Sequence, residues 1–230
     1  MEPYSFDDIT DRQLKILAHT LSTTGGTAEQ VHLFKSEKDP FDLYPVDVAM
    51  LEPTKFFEYY IVTTVGLSAY KFSSKVARAE LIMLLPKEWK ADFSKWEYFW
   101  PVKLMQDIAF GIINNKASVL PLQLFEMTDA GNPYETTSFV GGIVNFPELF
   151  PVEYVDEKID YDYTRFYQVV PVTKKQVDKI KDIGSDKFIQ FDLHDADGPL
   201  LNVEVPDVKK NAGKKIDKII AHNERTLKGK

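Results

Sequence analysis

The apolar residues of this chain are grouped into short segments, each about the length of one β-strand. Residues 56–65 read FFEYYIVTTV and end at Gly66, and residues 78–85 read RAELIMLL and end at Pro86. Segments of this length, rich in apolar and β-branched side chains and closed by a turn-forming residue, are typical of buried strands. We therefore expect these two segments to be adjacent central strands of a sheet.

Further strands and helices follow from the same patterns. The other predicted strands are residues 31–34, 46–51, 119–127, 137–146 and 166–172. The predicted helices are residues 11–22, a segment from Pro101 to about Asn115, and residues 174–183 and 214–227. This order is rich in strands, with helices interspersed rather than strictly alternating. It predicts an α+β fold, with a mixed, largely antiparallel sheet covered by helices in a layered α/β sandwich.

The composition narrows the class of protein. Of the 230 residues, 44% are hydrophobic and none is cysteine. The lack of cysteine excludes a disulfide scaffold, a zinc site made of thiolates and a cysteine nucleophile, and it fits a reducing compartment. The longest apolar runs are too short to span a membrane, and the acidic N-terminus lacks the apolar region of a secretory signal. These observations predict a cytoplasmic protein.

The charge is distributed unevenly along the chain. The net charge is −7, but residues 209–230 carry eight basic and two acidic side chains, which leaves 20 basic and 33 acidic residues elsewhere. An acidic body favours a basic partner and disfavours nucleic acid. The basic amphipathic helix predicted at residues 214–227 has two interpretations. Its isoleucine face packs on its own domain, or the helix binds a membrane, a nucleic acid or a partner groove.

Four motifs occur in a fixed order along the chain. A strand ends in a T-x-G-x-S turn at residues 64–68, and an R-x-E-L strand begins at Arg78 and ends in Leu-Pro. A helix then opens with Trp100-Pro101, and a later strand ends in V-P-V-T at residues 170–173. As an ordered set these motifs resemble the Suppressor of fused domain family, and the resemblance covers roughly residues 31–184. It sets off residues 1–30 as an N-terminal helical segment and residues 185–230 as an extension that ends in the basic helix.

The resemblance implies a non-enzymatic, protein-binding domain without a cofactor. The animal namesake of the family holds zinc-finger transcription factors inactive and clamps a short extended peptide by strand addition. It carries a further C-terminal domain, whereas only about forty-five residues follow Gly184 here. Stand-alone members occur in bacteria, where some are regarded as immunity proteins that neutralise toxins. The resemblance thus implies a bacterial protein that neutralises or regulates a protein partner.

An acidic and aromatic segment, residues 153–165, is the candidate contact surface for that partner. Its sequence is EYVDEKIDYDYTR. The predicted contact residues are Tyr154, Asp156, Glu157, Asp160, Tyr161, Asp162 and Tyr163. Carboxylates pair with Lys or Arg of a basic partner, and tyrosines supply rigid amphipathic contact area. The alternative is a solvated connecting loop.

The competing functional class is a hydrolase, for which the sequence offers two sites. Gly66-Leu67-Ser68 begins like a nucleophile elbow, but Tyr70 stands where the elbow needs a second small residue. The other site is the acidic turn that starts at His194 and resembles part of a calcium loop ending at Glu204. The first ligand position of such a loop would fall on Leu193, which cannot coordinate a metal. We therefore expect neither a catalytic serine nor a metal site.

Overall fold

A computed structural model describes residues 9–36, 46–93, 95, 98–127, 134, 137–160 and 162–193 of the chain. Its helices are α1 (Asp11–Thr24), α2 (Trp100–Asn114), α3 (Val152–Val155), α4 (Lys174–Ile183) and α5 (Ser185–Phe188), which continues into a π-helical turn (Ile189–Leu193). Its strands are β1 (Val31–Phe34), β2 (Asp47–Leu51), β3 (Tyr60–Val65), β4 (Arg78–Leu85), β5 (Leu124–Glu126), β6 (Phe139–Asn145), β7 (Asp156–Ile159) and β8 (Asp162–Thr173). The acidic turn at 194–204 and the basic helix predicted at 214–227 lie outside the described residues.

The strands form one mixed sheet, which confirms the predicted fold class. The order across the sheet is β1-β2-β3-β4-β8-β6-β5, and β7 pairs with the first part of β8. All neighbouring strands are antiparallel except β4 and β8, which are parallel. The expectation that β3 and β4 are adjacent is confirmed, with Ile61 opposite Leu84. Strand β3 begins at Tyr60, four residues later than predicted, and Phe56, which was predicted to begin it, is 72% exposed.

Helices bury both faces of this sheet. Residues of β4 alternate between the two sides: Leu81 and Met83 pack in the same core as α2, whereas Ile82 packs with α1. On the face of the sheet that α1 covers, the end formed by β6 and β8 is covered by α4, whose Val177 packs with these two strands. Because both faces are covered, the central strands are mostly apolar on both sides and do not alternate regularly between apolar and polar residues. The result is a three-layered sandwich.

The structure corrects the predicted strands at two places. The segment 119–127 forms a strand only from Leu124, because Leu122 adopts a left-handed backbone with φ of 65°. Strand β7 was not predicted, since only one of its residues, Ile159, is buried. Its partner β8 begins at Asp162 instead of Phe166, so the two form a hairpin, residues 156–165, that the apolar pattern did not mark.

None of the helices within the described ranges is long and apolar enough to cross a lipid bilayer.

Candidate functional site

Two of the sequence motifs fold into a single hydrogen-bonded unit around the side chain of Glu80. Its carboxylate accepts hydrogen bonds from the backbone N–H groups of Gly66 at 3.1 Å and Ser68 at 2.9 Å. It also accepts one from the hydroxyl of Thr64 at 2.6 Å, and that hydroxyl accepts one from the backbone N–H of Leu81. The T-x-G-x-S turn and the R-x-E-L strand are therefore parts of one structure.

Burial gives Glu80 unusual acid–base behaviour. The side chain is completely inaccessible to water. Burial disfavours the charged form and raises the pKa of Glu80 to about 7, although the hydrogen bonds from Thr64, Ser68 and Gly66 act in the opposite direction. The carboxylate thus changes its charge near neutral pH in the middle of the fold.

Two arginines meet on the outer side of the same turn. Arg78 Nη1 donates to the carbonyl oxygens of Ser68 at 3.0 Å and Ala69 at 2.8 Å. Arg12 of α1 donates through Nη1 to the same Ser68 carbonyl at 3.2 Å and to the Ser68 hydroxyl at 3.1 Å. Gly66, which starts the turn, has a φ of 115° that only glycine adopts readily. The turn is therefore fixed from α1 and from β4 at once.

The tip of the hairpin reaches this arginine pair through Asp160. Its backbone is left-handed, with φ of 60°, and its carboxylate lies 2.9 Å from Arg12 Nη2. Lys15, one helical turn along α1, forms a second ion pair with it. The hydrogen bond from Lys15 and the nearby charge of Arg12 lower the pKa of Asp160 below its ordinary value. Asp160 therefore remains ionised and ties the hairpin tip to α1.

Two more carboxylates of the hairpin also have cations beside them. Asp162 lies 2.9 Å from Lys71 and 3.0 Å from Arg78, and these bonds lower its pKa, that from Lys71 most. Asp156 accepts two hydrogen bonds from Arg165 on the neighbouring strand, at 2.5 and 2.6 Å. This pairing raises the pKa of Arg165. Asp162 thus anchors the hairpin to the rest of the fold, whereas Asp156 joins the two strands of the hairpin.

The remaining predicted contact residues have different surroundings. Tyr154 is only 1% exposed and stacks on His19, so it belongs to the core and is removed from the candidate surface. Glu157 lies 3.6 Å from the ring of His19. Tyr163 is 61% exposed. Tyr161 lies outside the described residues.

An open cleft of about 460 Å³ lies between α1, the turn after β3 and the hairpin tip. It is lined by Thr10, Asp11, Arg12, Lys15, Gly66, Ala69, Arg78 and Asp160. Its volume is in the range of pockets that hold small ligands or short peptide segments. Three of its eight lining residues are cationic and two are acidic, so charge recognition is the chemistry that this cleft can supply.

Neither described histidine reaches Ser68, and the carboxylate bonded to its side chain is the fully buried Glu80. The serine is completely buried, and its hydroxyl accepts a hydrogen bond from Arg12. The two described histidines bond elsewhere: His19 contacts the carbonyl of Tyr154, and His32 pairs with Glu52. Within the same described part of the chain, no three histidines, aspartates or glutamates converge as a metal site would require.

The cations of this site were not predicted from the sequence. Arg12 lies 56 residues from Ser68 along the chain, and Lys15 lies 145 residues from Asp160. Nothing in their local pattern separates them from other surface cations. Glu80 was a detectable signal, because it is a single carboxylate in an otherwise apolar strand and a buried charge requires partners.

Comparison with known families gives one match over most of the chain. The family described as Suppressor of fused protein (SUFU) matches residues 38–203. No curated protein sequence matches the chain.

Solved structures share the fold at low sequence identity. A protein described as a SUFU homolog from Neisseria gonorrhoeae superposes with a TM-score of 0.60 at 14% identity, covering 84% of this chain and 94% of that one. Drosophila Suppressor of Fused superposes with a TM-score of 0.51 at 13% identity, covering 94% of this chain and 56% of that one. At such identities the likeness concerns the fold alone.

Proposed function

The chain belongs to the Suppressor of fused family, and we propose that it is a non-enzymatic domain that binds a protein partner and thereby neutralises or regulates it. The family resemblance implies this class of function. The burial of Ser68 and the engagement of its hydroxyl by Arg12 also disfavour the hydrolase alternative at that site. The domain needs no cofactor and no nucleic acid for this role.

The observation that carries the proposal is the way the hairpin is held. Its carboxylates are anchored by α1, by the segment after β3 and by β4, while the side chain of Tyr163 stays 61% exposed. A surface that is already ordered loses little conformational entropy when it binds. An exposed tyrosine on an anchored hairpin is therefore well suited to be a contact residue. Tyr161 and Glu157 complete the proposed contact surface.

The proposed partner is a basic protein, and we infer that it is a toxin of the bacterium in which this protein acts as a cytoplasmic immunity protein. The support is electrostatic: residues 1–208 carry 20 basic and 33 acidic side chains, a net charge of −13. A net negative body accelerates encounter with a cationic protein, and added salt weakens the effect.

The variant Tyr163→Ala should lose affinity for the partner without losing stability. Truncating an exposed aromatic anchor costs about 2 kcal/mol of binding free energy, which raises Kd about thirtyfold. The measurement is calorimetric titration with the protein encoded beside this chain's gene, together with a growth assay in which the two proteins are co-expressed. The thermal unfolding midpoint should stay at the parent value.

Phe56→Ala is the matched control, because Phe56 is another exposed aromatic and lies outside the hairpin. It should bind and protect as the parent does. The hairpin assignment would be contradicted if Tyr163→Ala bound the partner with the parent's Kd. It would also be contradicted if Phe56→Ala lost as much affinity.

A further inference from the structure

We propose that the cleft binds an Asp or Glu side chain presented by a polypeptide. This proposal rests on the proposed function and specifies which kind of side chain the partner places in the cleft. Arg12, Lys15 and Arg78 line the cleft against Asp11 and Asp160, so the lining has a net charge of +1. The whole chain has a net charge of −7. The cleft is therefore a cationic site within an acidic protein.

The two arginines keep hydrogen-bonding capacity for a ligand. Arg12 donates to protein atoms through Nη1 and Nη2, and Arg78 does so through Nε and Nη1. Within the described ranges, Arg12 Nε and Arg78 Nη2 make no hydrogen bond. Lys15 has three donors, and one of them bonds to Asp160. Its side chain is 54% exposed, so the remaining donors are accessible.

The chain's own hairpin shows which chemical group these cations bind. The carboxylate of Asp160 lies between Arg12 and Lys15, and it enters from one side of the cleft. A planar carboxylate matches the fork of a guanidinium, whereas a basic side chain entering here would meet a lining whose three cations outnumber its two carboxylates. The open volume of about 460 Å³ exceeds that of one side chain, and it therefore accommodates flanking backbone.

This assignment is compatible with a partner that is basic overall. Net charge governs the long-range approach of two proteins, whereas a single acidic side chain determines what fits a local cationic site. The partner segment that enters the cleft should accordingly carry an acidic residue on an otherwise neutral or basic surface.

The test is an NMR titration of the full-length protein with three probes. These are acetyl-alanyl-glutamyl-alanine amide, the same tripeptide with lysine in place of glutamate, and inorganic phosphate. The glutamyl peptide should shift the backbone amide signals of Gly66 and Ala69, and the lysyl peptide should not. Lys15→Glu should weaken the glutamyl peptide roughly tenfold or more, because it replaces a charged hydrogen-bond donor with a repelling charge.

Lys158→Glu is the matched control, since Lys158 is exposed on β7 and does not line the cleft. It should bind the peptide as the parent does. Lys15→Gln, which loses the charge without adding a repelling one, should fall between the parent and Lys15→Glu. The spectra themselves report whether each variant is folded.

The proposal would be overturned by no shift at Gly66 and Ala69, by equal shifts with the lysyl peptide, or by phosphate binding as tightly as the glutamyl peptide at the same amides. An unchanged affinity in Lys15→Glu would overturn it as well. These outcomes leave the proposed function intact if Tyr163→Ala still loses the partner. Conversely, peptide binding in the cleft with no effect of Tyr163→Ala would separate the cleft from the proposed hairpin surface.

Discussion

Leu81→Asp is expected to be unfolded at 25 °C. Leu81 is completely buried in β4, which has β3 on one side and β8 on the other. The substitution removes the packing of a core leucine, worth about 2–5 kcal/mol, and adds the cost of burying an unpaired carboxylate. The sum meets or exceeds the whole stability of a typical domain, about 5–15 kcal/mol. Circular dichroism and urea titration would measure the loss of the folded state.

Leu120→Asp makes the same chemical change at a leucine that is half exposed. It should keep the parent's unfolding midpoint to within a few degrees. The same reasoning applies to Ile61→Asp on the neighbouring strand, where the parent side chain is 1% exposed. A cooperatively folded Leu81→Asp protein would contradict the position of β4 at the centre of the sheet.

Glu80→Ala is the second substitution with a large expected effect. It leaves the N–H groups of Gly66 and Ser68 and the hydroxyl of Thr64 without their acceptor in a site that water does not reach. Each buried donor left unsatisfied costs about 1–3 kcal/mol, so the free energy of unfolding at pH 5 should fall by about 3 kcal/mol or more. Urea unfolding followed by tryptophan fluorescence measures this. A loss below about 1 kcal/mol at pH 5 would contradict the role of Glu80 in holding the turn.

Glu80→Gln separates the hydrogen bonds from the charge, and it gives a pH dependence of known sign. The pKa of Glu80 rises from an ordinary 4.5 to about 7 in the fold, so the folded state holds the proton more tightly than the unfolded chain. The free energy of unfolding should therefore decrease as pH rises from about 4.5 to about 7, by about 3 kcal/mol. The glutamine cannot ionise and should lack this decrease.

The parent and Glu80→Gln should therefore have similar stability near pH 5, and the variant should be the more stable protein above pH 7. The contribution of other carboxylates cancels when the free energy of unfolding is plotted against pH for both proteins and the two curves are compared. Asp160 and Asp162, for example, have lowered pKa values and lose their stabilising ionisation only at more acidic pH. Parallel curves for parent and variant would show that Glu80 is ionised throughout this range.

The elements that the sequence predicts best are those whose signals are local. Thr10 begins α1 and Thr173 begins α4, and each forms a capping box with a glutamine three residues later. The central strands β3 and β4 were predicted because both faces of the sheet are buried and most of their residues are therefore apolar. Strand β7 was missed because its polar residues become a strand only when β8 supplies their hydrogen-bonding partners.

The sequence alone also determined the family, the lack of cysteine chemistry and the number of carboxylates in the hairpin. It did not determine what those carboxylates do. Asp160 pairs with Lys15, 145 residues away, and Asp162 pairs with Lys71, 91 residues away. An ion pair depends on distance in space, and only the packing of α1 and β4 around the turn brings these groups together. Tertiary structure thus converted a predicted acidic patch into an anchored hairpin beside a cationic cleft.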